Sequence, residues 1–146
     1  MTHLQPTIHI HATPEKIWNI LWDDATYRIW CAPFCEGTYY KADKLEEGAK
    51  IHFLTPTGEG MYSLIHKMIP NRLMSFRHQG SIIDFKEQDF TTETEAWNNM
   101  LETYELSPDK NGTTLKVDFH TTEEYKTFMT NAFDESLRII KRLAEE

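Results

Sequence analysis

The side chains in this 146-residue sequence best suited to chemistry are a carboxylate and an imidazole, Glu102 and His78. Both lie in segments where polar and apolar residues alternate, which places every second side chain on one face of a β-strand. The more apolar sets are Met100, Glu102, Tyr104 and Leu106 in one segment, and Met74, Phe76 and His78 in the other. Because the two strands are expected to be neighbours, we predict that Glu102 and His78 reach one pocket.

A carboxylate in an apolar pocket is expected to have a raised pKa, and beside an imidazole it can serve as a general base or bind a cationic or hydroxylated ligand. Glutamate is seldom buried, so two alternatives stay open for Glu102: a shifted strand register that exposes it, or a local partner. No Ser-His-Asp pattern, phosphate-binding loop, GxGxxG or HExxH motif is present. We therefore assign no catalytic residue and favour binding over catalysis.

A histidine pair near the N-terminus raises the question of a metal site. His9 and His11 alternate with two isoleucines, which are expected to take the inner face and leave both imidazoles on the outside of the sheet. A third ligand such as His52 or His120 would have to join them. No Cys or carboxylate cluster lies beside them, so we predict no metal and no cofactor.

The two cysteines also lack a pattern typical of chemistry. Three residues separate Cys31 from Cys35, a spacing that fits neither a CxxC redox motif nor a four-ligand zinc site. Free cysteines are usually buried, and we expect both thiols to be buried and inert.

Charge narrows the class of partner. Lys and Arg together number 15 and Asp and Glu 23, a net charge of -8, which disfavours attraction to nucleic acid or anionic lipid. No stretch approaches the roughly 20 apolar residues that span a bilayer, and the N-terminus does not resemble a signal peptide. We expect a cytoplasmic protein whose partner is neutral, cationic or apolar, with a small apolar molecule favoured over a membrane or a nucleic acid.

A long C-terminal helix, predicted over Thr121–Glu146, organises the elements that must position these residues. Its apolar residues recur at spacings of three and four, and Thr121 with Glu124 matches a capping box. Such a helix needs a broad apolar surface, which the preceding strands would supply. The apolar positions are Tyr125, Phe128, Met129, Ala132, Phe133, Leu137, Ile140, Leu143 and Ala144.

The rest of the chain predicts one strand, two short helices and about six further strands. A strand over Thr7–His11 precedes a helix capped by Thr13 and a second helix over Ala25–Trp30. Alternation bounded by Gly, Pro or Asn then predicts strands over 34–40, 49–54, 60–69, 72–78, 97–106 and 113–120. The acidic segment Gly80–Ala96 predicts an irregular loop or a ragged edge strand, and Ser107–Gly112 a turn. We expect one α+β domain over 1–146, with helices on one face of an antiparallel sheet.

Positions spread over nearly the whole chain also resemble a known family. They are Ile10 to Trp18, Trp30 with Pro33, Gly48, Gly58, Gly60, Ile69 to Leu73, Thr103 to Leu106, Gly112 with Thr113, Leu137, and Ile140 to Glu145. These residues are similar to the START-like superfamily, also called SRPBCC or helix-grip, which includes the birch pollen allergen Bet v 1. The resemblance is strongest to the branch similar to the C-terminal domain of the activator of heat-shock protein 90 ATPase. The acidic segment Gly80–Ala96 departs from the short connection usual there.

The resemblance implies a helix-grip fold, in which about seven antiparallel strands wrap around the last helix and enclose a cavity. Members of the superfamily bind lipids, hormones or polyketides, catalyse cyclisation or hydrolysis, or act as co-chaperones, so the fold leaves the activity open. Together with the large side chains, it predicts a hydrophobic ligand cavity on the order of a few hundred Å³. The predicted lining is Trp30, Phe34, Phe53, Met61, Ser63, Phe76, His78, Glu102, Tyr104, Tyr125, Phe128, Met129, Phe133 and Ser136.

Three functions are consistent with this sequence. The first is binding of a small, largely apolar ligand under the last helix, with Ser63 and Ser136 as small polar anchors. The second is a co-chaperone-like domain that stimulates a chaperone ATPase, against which the lack of a second domain counts. The third is a hydrolase or cyclase that uses Glu102 and His78. A homodimer formed through an exposed edge, the first or sixth predicted strand, also stays open.

Overall fold

A C-terminal helix packs against an antiparallel sheet in the computed structural model, which describes residues 1–89 and 98–146. The helices are α1 (Pro14–Trp22), α2 (Asp24–Trp30) and α3 (Lys126–Glu145), and a 3-10 turn at Glu123–Tyr125 precedes α3. The strands are β1 (Thr2–Leu4), β2 (Thr7–Ile10), β3 (Tyr39–Lys41), β4 (Lys50–Leu54), β5 (Gly60–Ile69), β6 (Leu73–Ile83), β7 (Lys86–Glu87), β8 (Leu101–Asp109) and β9 (Gly112–Thr121).

The strands of the described residues lie in the order β1-β9-β8-β6-β5-β4-β3. Strands β1 and β2 pair with opposite ends of β9 and so form one interrupted edge, while β7 pairs only with the end of β6. The sheet is therefore seven strands wide along its main path, which confirms the predicted α+β helix-grip fold. The free edges are β1 with β2 and β3, so the expectation that the segment 97–106 forms an edge is wrong, because β8 lies between β6 and β9.

The two short helices follow their local sequence signals. Thr13 accepts a hydrogen bond on its hydroxyl oxygen from the Lys16 amide at 3.2 Å, and Pro14 occupies the first helical position, as predicted for α1. The buried face of α1 is Ile17, Ile20, Leu21 and Trp22. Helix α2 begins one residue before the predicted start and ends at Trp30 as expected.

The strand predicted over 34–40 is wrong over most of its length, since β3 covers only Tyr39–Lys41. A turn intervenes, in which the Thr38 amide donates to the Cys35 carbonyl at 3.1 Å and Gly37 adopts a φ of 82°. That conformation favours glycine and interrupts an extended strand. The turn leaves Cys35 exposed, contrary to the prediction, whereas Cys31 is buried as expected.

The segment Gly80–Ala96, predicted as an irregular loop or a ragged edge strand, begins in regular sheet, because β6 runs on to Ile83 and turns into the short strand β7. The turn residues Asp84 and Phe85 both have positive φ, 54° and 64°. Hairpin turns with this geometry usually contain Asn or Gly, so the sequence carried no signal for it. The rest of the predicted loop from residue 90, and the start of the strand predicted at 97, lie outside the described residues.

Helix α3 begins later than predicted. Thr121 ends β9 and pairs with Thr2, so the expected capping box with Glu124 does not form. The N-terminal strand β1, which sequence analysis missed, extends β9 and holds these residues in the sheet, and the Thr2 hydroxyl donates to the Glu123 carboxylate. The buried face of α3 starts only at Ala132. The first turns of α3 therefore stand away from the core.

The core lies between the sheet, α1 and the C-terminal two-thirds of α3. Ile10, Ile17, Leu115 and Ile140 are all fully buried there. No helix within residues 1–89 and 98–146 is long and apolar enough to cross a membrane.

Candidate functional site

A partly open pocket of about 180 Å³, here called the inner chamber, lies beneath the first turns of α3. Nine of the predicted ligand-binding residues line it: Trp30, Phe34, Phe53, Met61, Phe76, His78, Glu102, Tyr104 and Met129. It forms there because the buried face of α3 begins only at Ala132, which leaves space between Met129 and the sheet. The volume is smaller than the few hundred Å³ expected, since seven aromatic rings fill much of the region.

A second space, the outer cleft of about 520 Å³, shares part of its lining with the inner chamber. Four side chains line both spaces and form what we call the gate: Met61, His78, Glu102 and Met129. Tyr125, another predicted residue, lines the outer cleft and is 55% exposed. The predicted cavity is thus divided into two spaces that meet at the Glu102 carboxylate.

A chain of hydrogen bonds crosses three neighbouring strands at the gate. The Ser63 hydroxyl lies 2.8 Å from His78 Nδ1, and His78 Nε2 lies 3.3 Å from Glu102 Oε1. The Tyr104 hydroxyl donates to Glu102 Oε2 at 2.7 Å. Ser63 pairs directly with His78 across β5 and β6, while Glu102 pairs with Phe76 across β8 and β6. The structure therefore brings Glu102 and His78 together at one pocket.

The ionisation of Glu102 differs from the sequence-based expectation. Burial by itself raises the pKa of the carboxyl, but hydrogen bonds from His78 and Tyr104 and the attraction of His78 lower it more. The net pKa of Glu102 is lowered, so the prediction of a raised pKa is wrong. Burial and the neighbouring Glu102 raise the pKa of Tyr104 well above its ordinary value, which keeps its hydroxyl protonated and able to donate.

The Ser63, His78 and Glu102 chain has the residue types of a hydrolase triad but not its accessibility. Ser63 is fully buried and lines neither the inner chamber nor the outer cleft, whereas a nucleophile must reach its substrate. Its hydroxyl instead orients the imidazole of His78. A general base works best with a pKa near the working pH, and Glu102 is shifted away from that range. The geometry suits binding better than catalysis.

The remaining predicted site residues lie outside both spaces. Phe133 is 2% exposed and packs between Phe34 and Phe119, with ring centroids 4.7 and 4.6 Å away. Ser136 is fully buried, and its hydroxyl has no hydrogen-bond partner among the described residues. Phe128 is 50% exposed on α3. Phe128 and Phe133 were predicted from the helical stripe and Ser136 as a small polar anchor, but the distance between α3 and the sheet decides which residues reach the cavity.

Sequence analysis missed four residues of the inner chamber: Trp22, Tyr27, Cys31 and Thr38. They come from α1, α2 and the turn before β3, which the topology folds over the open end of the sheet. The rings of Phe76 and Tyr104 lie 5.4 and 5.1 Å from Trp22. The apolar stripe of α1 marked Trp22 as buried, but nothing local showed that it faces a cavity.

Of the histidines considered for metal binding, His9 and His11 lie together with ring centroids 5.2 Å apart, but neither His52 nor His120 joins them. His9 lies on the outer face, with Nε2 3.1 Å from Asp109, and His52 contacts Glu87 at 2.8 Å on another part of the sheet. His120 stacks on His3 with ring centroids 4.5 Å apart. In the part of the chain that the structure describes, no three potential ligands form a metal cluster.

The lowered pKa of Glu102 makes a prediction for stability in acid. Folding favours the ionised form, so its contribution to the free energy of unfolding is present above the ordinary Glu pKa of about 4.3 and is lost as pH falls through the lower folded value. We expect the free energy of unfolding, measured by urea denaturation, to fall less between about pH 5 and pH 3 in Glu102→Gln than in the wild type. Glu105→Gln, on the opposite face of the same strand, is the control. If the free energy of unfolding depends on pH identically in the wild type and in Glu102→Gln, folding does not lower the pKa of Glu102.

Comparisons with known proteins give likeness in structure but not in sequence. No protein-family model matches the chain, and no curated protein is significantly similar to it in sequence. The solution structure of an Aha1 dimer from Colwellia psychrerythraea matches with a TM-score of 0.72 and 21% identity, covering 99% of this chain and 97% of that one. An AHSA1-like protein from Aeromonas hydrophila matches with a TM-score of 0.68 and 14% identity, covering 99% and 92%.

A third solved structure, protein CV1439 from Chromobacterium violaceum, matches with a TM-score of 0.69 and 16% identity, covering 100% of this chain and 99% of that one. At these identities the likeness concerns the fold alone. It confirms the START-like, Aha1-like fold that the sequence resemblance implies.

Proposed function

We propose that this chain, which has the START-like helix-grip fold, binds a small, largely apolar molecule between its sheet and the first turns of α3. The observation that carries the proposal is the inner chamber, in which aromatic walls surround a single carboxylate among the described residues that line it. Ligand sites in proteins are typically apolar cavities with few, well-placed polar groups. Glu102 supplies such a group, and the outer cleft supplies a route to it.

Glu102 has capacity left for a ligand. A carboxylate accepts about four hydrogen bonds, whereas His78 and Tyr104 supply two. The Glu102 side chain is 23% exposed, and it lines both the inner chamber and the outer cleft. A partly buried carboxylate with unused acceptors can take a hydrogen bond from a ligand that donates to it.

Blocking the gate should abolish binding without disturbing the core. Met129 is partly exposed and lines both spaces. The neutral fluorophore N-phenylnaphthylamine has three rings, so it must extend past the gate into the outer cleft, and Met129→Trp is expected to weaken its binding by at least about tenfold. Fluorescence titration measures this affinity. Thr130→Trp, which places the same ring on the exposed face of α3, is the matched control and should bind like the wild type.

Native mass spectrometry of gently purified protein provides an independent test. We expect an adduct of small-molecule mass that is lost on unfolding and is depleted in Met129→Trp. If every preparation has the bare mass and the fluorophore binds both variants equally or not at all, the ligand-binding proposal is wrong.

A homodimer is a separate proposal about assembly. The Colwellia protein of similar fold was solved as a dimer, and β3 at one end of this sheet leaves its outer backbone groups without a strand partner among the described residues. Sedimentation of the purified protein would measure its mass in solution. The co-chaperone role remains the alternative, and its support is likeness of fold.

A further inference from the structure

We infer that the ligand of the inner chamber is a small organic cation, an amine whose ammonium group pairs with Glu102 and whose apolar body lies among the aromatic rings. This inference rests on the proposed function and names the chemical class that the site selects. Three features of the inner chamber support this assignment: the charges of its lining residues, the arrangement of its aromatic rings and its volume.

The charge of the chamber walls is the first argument. Among the described residues, the inner chamber is lined by Glu102 and by no lysine or arginine, and the outer cleft adds Glu124. The basic groups of these walls are the imidazoles of His78 and His120 and the amino group of Met1 at the cleft. His78 and Tyr104 give the Glu102 carboxylate two hydrogen bonds, but its remaining acceptor capacity faces the two spaces. A cationic ligand compensates the carboxylate charge there, whereas a neutral ligand leaves it in place.

The aromatic rings are the second argument. Trp22 packs edge-to-face against Phe76, Tyr104 and Trp30, at centroid distances of 5.4, 5.1 and 6.4 Å. All four rings line the inner chamber, and the Tyr104 hydroxyl is bonded directly to Glu102. Aromatic faces attract cations through the negative charge of the ring surface, most strongly in a desolvated site. A carboxylate among such rings is the arrangement expected for an ammonium group.

The size of the chamber limits the apolar body. An apolar cavity of about 150 Å³ can hold a benzene molecule. The inner chamber of about 180 Å³ therefore accommodates one ring with a short chain, and the ammonium group then reaches the gate, where Glu102 lies. Larger substituents would extend into the outer cleft.

Three probes of similar size and different charge test the inference on the intact chain. Phenylethylamine, phenylethanol and phenylacetate share one ring and a short chain but carry a positive, zero and negative charge. Isothermal titration calorimetry at neutral pH should give the amine at least about tenfold higher affinity than the alcohol, because charge-assisted hydrogen bonds are the stronger ones. Phenylacetate should bind more weakly than the alcohol.

Variants separate charge from shape. Glu102→Gln should bind the amine and the alcohol with affinities within about threefold of each other, since it keeps the shape and removes the charge. Glu105→Gln removes the same charge from the same strand on the opposite face, and it should keep the preference of the wild type. The comparison of probes on the wild type needs no variant, so the test stands even if Glu102→Gln folds poorly.

The possible failures can be told apart. If the wild type binds phenylethanol as tightly as the amine and Met129→Trp weakens both, the cation assignment is wrong while the binding function stands. If Glu102→Gln keeps the full preference for the amine, the assignment to Glu102 is wrong. If no probe binds and the neutral fluorophore does not distinguish the gate variants, the proposed function fails as well.

Discussion

Replacing His78 by leucine is expected to lower the free energy of unfolding by about 3 kcal/mol, because it removes a hydrogen-bond partner from the Glu102 carboxylate and from the buried Ser63 hydroxyl. The Glu102 carboxylate would keep only the hydrogen bond from Tyr104, and the Ser63 hydroxyl would lose its partner at 2.8 Å. The His78 side chain is only 11% exposed, so water cannot easily replace what is lost. Urea denaturation at neutral pH measures the change.

A double-mutant cycle separates the charge interaction from loss of packing. Combining His78→Leu with Glu102→Gln should cost less than the sum of the single changes, by about 1 kcal/mol or more, since the second change removes the unpaired charge. His66→Leu makes the same substitution at an exposed position on β5 and should change stability by no more than about 0.5 kcal/mol. Additive costs in the cycle would show that the two side chains do not interact energetically.

Phe133→Ala is expected to be the other large loss, about 3–5 kcal/mol, because a buried phenylalanine leaves a cavity when it is truncated. Phe133 is 2% exposed and joins α3 to the sheet through Phe34 and Phe119. From the sequence alone Phe133 was expected to line the ligand cavity. Because Phe133 is buried in the core and does not line the inner chamber, we expect it to contribute to stability.

Phe128→Ala provides the matched comparison for that prediction. It removes the same ring from the same helix, but Phe128 is 50% exposed, so its loss should change stability by about 0.5 kcal/mol or less. Both variants are compared with the wild type by chemical denaturation. Equal losses for the two substitutions would show that Phe133 does not anchor α3.

The fold was largely predictable because its signals are local. Thr13 and Pro14 mark the start of α1 through capping chemistry, and alternation identified β5 over Gly60–Ile69. The predictions were wrong where contacts between distant parts of the chain determine the local structure. Strand β1 has little pattern of its own and forms because β9 offers it a partner, which in turn delays the start of α3 to Lys126.

The candidate site was predictable in part for the same reason. Alternation placed Phe76 and His78 on one face of β6 and Glu102 and Tyr104 on one face of β8, and the sheet brings these faces together. The sequence around Trp22 does not show that this side chain lines the inner chamber. That position depends on how α1 and α2 fold back over the sheet, which no local pattern specifies.

The sequence by itself determined which side chains share a face, because strand and helix periods depend only on the spacing of residues. It thereby determined that Glu102 and His78 point the same way. Only the tertiary structure decided that Glu102 is ionised, because its pKa reflects burial together with hydrogen bonds from His78 on another strand and Tyr104 on its own. It also decided where α3 leaves the sheet, and hence that Met129 lines the cavity while Phe133 fills the core.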